Sequence, residues 1–311
     1  MQRIILDTDP GIDDALALFL ALASPEVQLE AITTVSGNVD VTLTTHNALT
    51  LLELAGRTDI PVARGSDRPL IRQPFNAAFV HGDNGLGGLQ LPEPGIQPVA
   101  EHAVDVIIEK ILAAPGEITL VTIGPLTNIA LALRREPRIA QQVREVVIMG
   151  GALRVPGNDT PTAEFNIYVD PHAAHIVLHA GWPIRLVSLD VTTQTQMQRE
   201  QVQMLTRSES RVISTIKQML NYSFDVSGPA FGLSGFQMHD PLCLAAAFQP
   251  ELITWDPVYV DVELHGTLTL GETVAYFRRP NVPPPNVLAS IGVDAERFIQ
   301  LFLARIEERF S

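Results

Sequence analysis

Short runs of β-branched residues alternate with longer helical patterns along most of this chain, and that alternation restricts the fold more than any other feature. "RIIL" (3–6) precedes "DDALALFLALAS" (13–24), "QLEAITTV" (28–35) precedes a helical pattern over 41–55, and "ITLVTIG" (118–124) precedes "PLTNIALALRR" (125–135). "EVVIMGG" (145–151) and "PIRLVSLD" (183–190) continue the series, with "DPHAAHIVLHAG" (170–181) between them. In that segment Asp170 can cap a helix, Pro171 suits its first turn and Gly181 can end it. Strands that alternate with helices specify an α/β fold, a mainly parallel Rossmann-like sheet flanked by helices. Towards the end, "PVYVDVELHGTLTLGETVAYF" (257–277) alternates with turn signals and reads as a small antiparallel C-terminal appendage, followed by the Pro-rich "PNVPPPN" and a last helix near 294–308. No polar linker separates two halves of the 311 residues, so the expectation is one domain spanning 1–311.

Composition narrows the function classes. Lys+Arg 21 against Asp+Glu 35 leaves a formal charge of −14, which disfavours nucleic acid or an anionic membrane surface as a partner. Cys243 is the only cysteine, so no internal disulfide forms, and with no secretory leader pattern at "MQRIIL" the expected location is cytoplasmic. Apolar runs such as "ALALFLALA" (15–23) are too short to span a bilayer.

In an open α/β sheet, ligands gather outside the carboxyl ends of the strands, so the residues that follow each strand are informative. After the first comes "DTDPGIDDA" (7–15), in which Asp7 and Asp9 are expected beyond the strand and Asp13 and Asp14 in the first turn of a helix. Two acids at a helix N-terminus can simply answer its dipole; four carboxylates this close either raise a pKa or recruit a cation. All-oxygen ligands favour Ca2+ or Mg2+ over zinc, and Ca2+ best accepts several carboxylates in an irregular shell. "SGN" brings Asn38 to the end of the second strand, and "GNDTPTAEFNIYVDP" (157–171) clusters Asn158, Glu164 and Asn166 in a set suited to sugar hydroxyls. "MHDP" supplies His239 and Asp240, and the glycine-dense "HGDNGLGG" (81–88) reads as a mobile loop from which His81 could reach a ligand. No phosphate loop or dinucleotide fingerprint is present, and Cys243 sits in an apolar stretch as a core filler.

Taken in order, "DTDPGIDDA", "SGN", "TIGPLTNIA", "IMGG", "AEFNIYVDP" and "HDP" resemble the calcium-dependent nucleoside hydrolase family, the inosine-uridine preferring and pyrimidine ribonucleoside hydrolases, nearly end to end. The resemblance implies a homodimer or homotetramer that hydrolyses the N-glycosidic bond of ribonucleosides. It implies a Ca2+ held by Asp9, Asp14, Asp240 and the carbonyl oxygen of Ile123, in contact with a water and the ribose 2′- and 3′-hydroxyls. Asp9 is then the candidate general base and His239 the candidate acid for the leaving base. Asp13, Asn38, Asn158, Glu164 and Asn166 match the ribose-binding positions, with Met149 close to the sugar and Asp7 behind the ligands. The stretch before HDP departs from purine-capable members, which carry a tyrosine and an arginine where an ungapped reading places Ser227 and Phe231. Uridine and cytidine are therefore the expected substrates, ahead of inosine. The alternatives are a broad inosine-uridine hydrolase and a non-catalytic calcium-dependent nucleoside-binding protein. A haloacid dehalogenase-type phosphotransferase, which also places DxD after a first strand, fits poorly because only Lys110 and Lys217 could supply its lysine.

Overall fold

The computed structural model describes residues 1–205, 210–230, 232–277 and 282–310. Its strands are β1 (Gln2–Thr8), β2 (Val27–Thr34), β3 (Val62–Arg64), β4 (Ile118–Thr122), β5 (Glu145–Met149), β6 (Ile184–Val187), β7 (Gln196–Met197), β8 (Phe236–Gln237), β9 (Ile253–Val262), β10 (Thr273–Tyr276) and β11 (Val287–Val293). Nine of them form one sheet in the order β10-β9-β11-β6-β5-β4-β1-β2-β3. The run from β3 to β11 is parallel. The antiparallel C-terminal strands β9 and β10 form the expected appendage and extend the edge of this sheet beyond β11, and β7 and β8 make a small antiparallel pair of their own.

The longer helices are α1 (Ile12–Ala23), α2 (Val41–Leu54), α3 (Ala103–Ala113), α4 (Thr127–Arg135), α5 (Pro171–Leu178), α6 (Arg211–Tyr222), α7 (His239–Phe248) and α8 (Ala295–Phe310). They cover both faces of the sheet, as a buried parallel sheet requires. Ile4 and Leu6 of β1 point into a core shared with α1, α2, α6, α7 and α8. Ile5 between them points the other way, into a core shared with α3, α4 and α5, which is the period-two alternation of a strand. Every residue of α1 is buried, because beyond Asp13 and Asp14 in its first turn the helix is apolar all round and belongs inside the fold. The apolar α7, which includes buried Cys243, packs along it.

The position of the site follows from the topology. Strand order 3-2-1-4-5-6 has its switch point between β1 and β4, where the connections leave to opposite sides and open a crevice at the carboxyl ends. Ladder pairing continues through Thr8, so Asp7 lies inside β1, opposite Thr33 and Thr122, and not after the strand as expected. Its Oδ1 accepts from Thr33 Oγ1 at 2.5 Å and Asn128 Nδ2 at 2.9 Å. Asn128, at the start of α4, also donates to the Thr34 carbonyl and accepts from the Ser66 amide. This fully buried amide therefore ties β1, β2 and the 65–70 loop together.

Removing one partner of a buried hydrogen bond leaves the other unsatisfied, at about 1–3 kcal/mol each. Asn128→Ala removes the partner of the Ser66 amide and a donor to the Thr34 carbonyl, while Asp7 Oδ1 keeps Thr33, and is expected to lower unfolding stability by about 3 kcal/mol, measured as a shift of the urea midpoint at constant slope. A loss below about 1 kcal/mol would contradict this role.

Candidate active site

α1 and α7 run side by side with their N-termini together, and this packing unites residues far apart in sequence. Asp13 and Asp14 open α1, Asp240 opens α7, and one carboxylate oxygen from each lies within 4.8 Å of the others. Asp9, on the turn between β1 and α1, packs against Asp14.

Backbone and side-chain donors hold the cluster. Asp14 Oδ1 accepts from Thr8 Oγ1 at 2.6 Å and the Asp9 amide at 3.1 Å, while its Oδ2 accepts from the Gly11 amide and from Asn38 Nδ2 at 2.8 Å. Asn38 also gives its amide N–H to Asp9 Oδ2 at 2.7 Å. Asp9 Oδ1 is buried and has no donor. Gly37 and Gly124 press against this carboxylate: a Cβ on the first would stand 2.1 Å from Asp9 Oδ2, and on the second 2.5 Å from Asp9 Oδ1. Only residues without a side chain let the two loops close this tightly.

The oxygens fit a hard divalent cation. The donor set is all oxygen, one carboxylate oxygen is buried without a partner, and the Ile123 carbonyl at the end of β4 belongs to the same cavity. That carbonyl accepts from Asn166 Nδ2 at 2.9 Å, which leaves one lone pair free. Without a cation, burial is the leading influence on each carboxyl. It pushes Asp13 up to about 7, and with the repulsion of neighbouring carboxylates it pushes Asp9 and Asp240 further in the same direction. A bound cation reverses this logic by favouring the ionised forms.

Above the cluster opens a cavity of about 680 Å3, within the range of small-molecule sites. Asp13, Asn38, His81, Ile123, Met149, Asn158, Glu164, Asn166, His239 and Asp240 all line it, whereas Asp9 and Asp14 lie buried behind Asn38. Glu164 caps the short helix Phe165–Val169: it accepts from the amides of Asn166, Ile167 and Gly151, and burial still raises it to about 7. Asn158 Oδ1 accepts from the Phe165 amide at 2.9 Å.

Both histidines are half-buried, and desolvation lowers each to about 4. His81 ends a helical turn (Ala78–His81), and its Nδ1 accepts from the Ile12 amide at 3.1 Å, which places the ring proton on Nε2. The segment after it is tied to the body, since Asn47 donates to the Asn84 carbonyl and the Gly87 amide to that of His81. His239 Nδ1 is 2.7 Å from Thr192 Oγ1. Phe79, Phe224 and Phe236 supply apolar walls, and Arg199, paired with Asp225 at 2.5 Å, reaches the rim. None of these four is marked by local pattern, because they come from short elements outside the main sheet. Phe231 and the Ser227 side chain lie outside the described residues.

The family model described as inosine-uridine preferring nucleoside hydrolase matches residues 4–300. The chain belongs to this family. Among relatives of this nucleoside hydrolase, the inosine-uridine preferring nucleoside hydrolase of Crithidia fasciculata is 40% identical over 308 residues, 98% of each chain. A pyrimidine-specific ribonucleoside hydrolase of Photobacterium profundum is 41% identical over 306 residues, again 98% of each. A solved purine-preferring ribonucleoside hydrolase from Gardnerella vaginalis superposes with a TM-score of 0.94 at 34% identity, covering 99% of both chains. The hydrolase acts on N-glycosyl compounds, splitting ribonucleosides into ribose and free base. Among the described residues, no helix is long and apolar enough to cross a membrane.

The raised carboxyls give the metal-free hydrolase a pH dependence. Asp7, Asp13 and Glu164 keep protons up to about pH 7 when folded, against about 4 when unfolded. Their contribution to stability is present below the unfolded value and is lost as pH rises through the folded one, with Asp9 and Asp240 extending the loss upward. His81 and His239 act oppositely, but only below the unfolded histidine value of about 6.5. The metal-free hydrolase is therefore expected to melt at a lower temperature at pH 8 than at pH 6.5, with a divalent cation raising Tm more at pH 8. A metal-free Tm that is equal or higher at pH 8 in scanning calorimetry would contradict it.

Proposed function

We propose that this hydrolase prefers uridine and cytidine to inosine and works with one Ca2+ held by Asp9, Asp14, Asp240 and the Ile123 carbonyl. When bound, the cation supplies positive charge that keeps these carboxyls ionised and acidifies a nearby water. Breaking the N-glycosidic bond develops oxocarbenium character on the ribose, so the buried carboxylates beside the ring stabilise the charge as it forms. Asp9 Oδ1, the oxygen with no donor of its own, takes the proton from the attacking water. Asp13, Asn38 and Glu164 grip ribose hydroxyls. Asn166 spends its N–H on Ile123 and offers Oδ1, Asn158 offers its amide N–H, and Met149 bounds the sugar. Fixing the ring in this way turns an encounter into a positioned attack.

The observation that carries the base preference is the pair of half-buried imidazoles, His81 and His239, that line the same cavity and are held in the neutral form by desolvation. With both lowered to about 4, the neutral imidazole is the form present at pH 7. Neutral N–H donors suit a pyrimidine, whose carbonyl oxygen gathers charge as the base leaves; a purine departs best once its imidazole ring is protonated. The relative named as pyrimidine-specific supports the same reading. We further propose that residues 1–311 act as one domain in the cytoplasm, as a homodimer or homotetramer, the oligomeric state being what the family resemblance implies.

Steady-state kinetics on uridine, cytidine and inosine test the preference. The expected kcat/KM is higher for both pyrimidine nucleosides, and His239→Ala is expected to lower it by about 10²-fold or more, the usual yield of a positioned proton-transfer group. A larger kcat/KM for inosine that survives in His239→Ala would overturn the assignment.

A further inference from the structure

From a second cluster remote in chemistry from the active site, we propose that His175, His179 and Asp261 form a binding site for a borderline transition-metal ion of the Zn2+ class, which staples α5 to strand β9, one strand in from the edge of the sheet. His175 lies in the last turn of α5 and His179 caps its end, so that their i, i+4 spacing puts both rings on one face, with centroids 4.4 Å apart. Asp261 reaches them from β9, which packs against α5. None of the three lines the active-site cavity.

The separations suit a single ion. One potential ligand atom from each residue lies within 4.8 Å of the others; His175 Nδ1 stands 2.8 Å from Asp261 Oδ1, and His179 Nε2 3.7 Å from Asp261 Oδ2. Atoms bound at about 2.0–2.2 Å to a tetrahedral ion lie about 3.4 Å apart, a value these distances bracket. The second observation is the hydrogen bonding of His179. Its Nδ1 is 2.8 Å from the His175 carbonyl, an acceptor only, so Nδ1 carries the proton and Nε2 keeps a lone pair beside the Tyr259 hydroxyl and Asp261 Oδ2. A backbone carbonyl that fixes the tautomer in this way is the usual outer support of a metal-binding imidazole. Tyr259, two residues from Asp261 and on the same face of β9, places its hydroxyl 3.1 Å from His179 Nε2 and 3.5 Å from Asp261 Oδ2. Its ring is held between His179 and Tyr276. All three ligands are partly exposed, which gives an ion access, and three protein ligands leave a fourth position for water. Two imidazoles and one carboxylate select Zn2+ over Ca2+ or Mg2+, the opposite preference to the all-oxygen cluster.

The test uses the full chain, stripped with a chelator and then supplied with excess Ca2+ so that hard-cation sites are filled. Zn2+ is titrated by calorimetry, and Co2+ reports nitrogen-containing four-coordinate ligation through its visible absorption. The expected result is one further equivalent of Zn2+ in the parent protein, with a rise in Tm. His179→Gln and Asp261→Asn should each weaken Zn2+ binding at least tenfold while uridine hydrolysis with Ca2+ is unchanged, which also reports that the variants fold. If either variant loses hydrolysis, His175→Gln reads the same loss. No Zn2+ binding in the presence of Ca2+, or binding that these substitutions leave unaltered, would overturn the proposal.

Discussion

Burying carboxylates without cationic side chains is the constraint on which the rest of this structure depends. Asp9, Asp13, Asp14 and Asp240 are all less than a tenth exposed, and no arginine or lysine pairs with any of them in the described ion pairs. Each buried ion of this kind costs several kcal/mol unless it is neutralised or coordinated. The fold meets that cost with directed donors, Thr8, Gly11 and Asn38, and with two helix N-termini aimed at the cluster. The remaining charge is the reason a cation belongs there. The apolar character of α1 and α7 follows from the same requirement, because both helices must be surrounded by protein for their N-termini to meet in the interior.

Sheet topology and chemistry are thereby coupled. The crevice between β1 and β4 would exist in any doubly wound sheet of this order; its use for a nucleoside depends on what each loop contributes there. The β1 turn brings Asp9, the β2 end Asn38 and the β4 end the Ile123 carbonyl, while the segment between β5 and α5 brings the amides and carboxylate that suit a sugar. Relatives named for purine and for pyrimidine nucleosides share the fold at 34% and 41% identity. In the proposed reading, discrimination between bases falls to the cavity's upper walls, where Phe79, His81, Arg199, Phe224 and Phe236 stand, and not to the acidic floor.

Most of the fold was legible because strand and helix periods differ, and because a parallel sheet makes its strands continuously apolar. The acidic motif was legible for a related reason: four carboxylates in nine residues at the end of a buried strand have no cheap structural explanation. Legibility failed where the deciding contact is tertiary. "DPHAAHIVLHAG" reads correctly as a capped helix, and Asp170 does cap it, but the same carboxylate also accepts from Thr127 and the Leu70 amide across the fold. Nothing local pairs His175 and His179 with Asp261, which lies on a strand more than eighty residues later. The position of Asp7 inside β1 was missed because ladder pairing, not side-chain pattern, sets where a strand ends.

The central claim is that buried carboxylates hold a catalytic calcium. Its most direct test is metal analysis of the purified hydrolase coupled to ribose release from uridine, before and after exhaustive chelation and with calcium restored. The account predicts about one tightly held Ca2+ per chain, with release abolished by its removal and recovered on its return. Full ribose release from a chain shown to be free of metal would contradict it, and a calcium-loaded chain that releases none would mark a binding protein and not an enzyme.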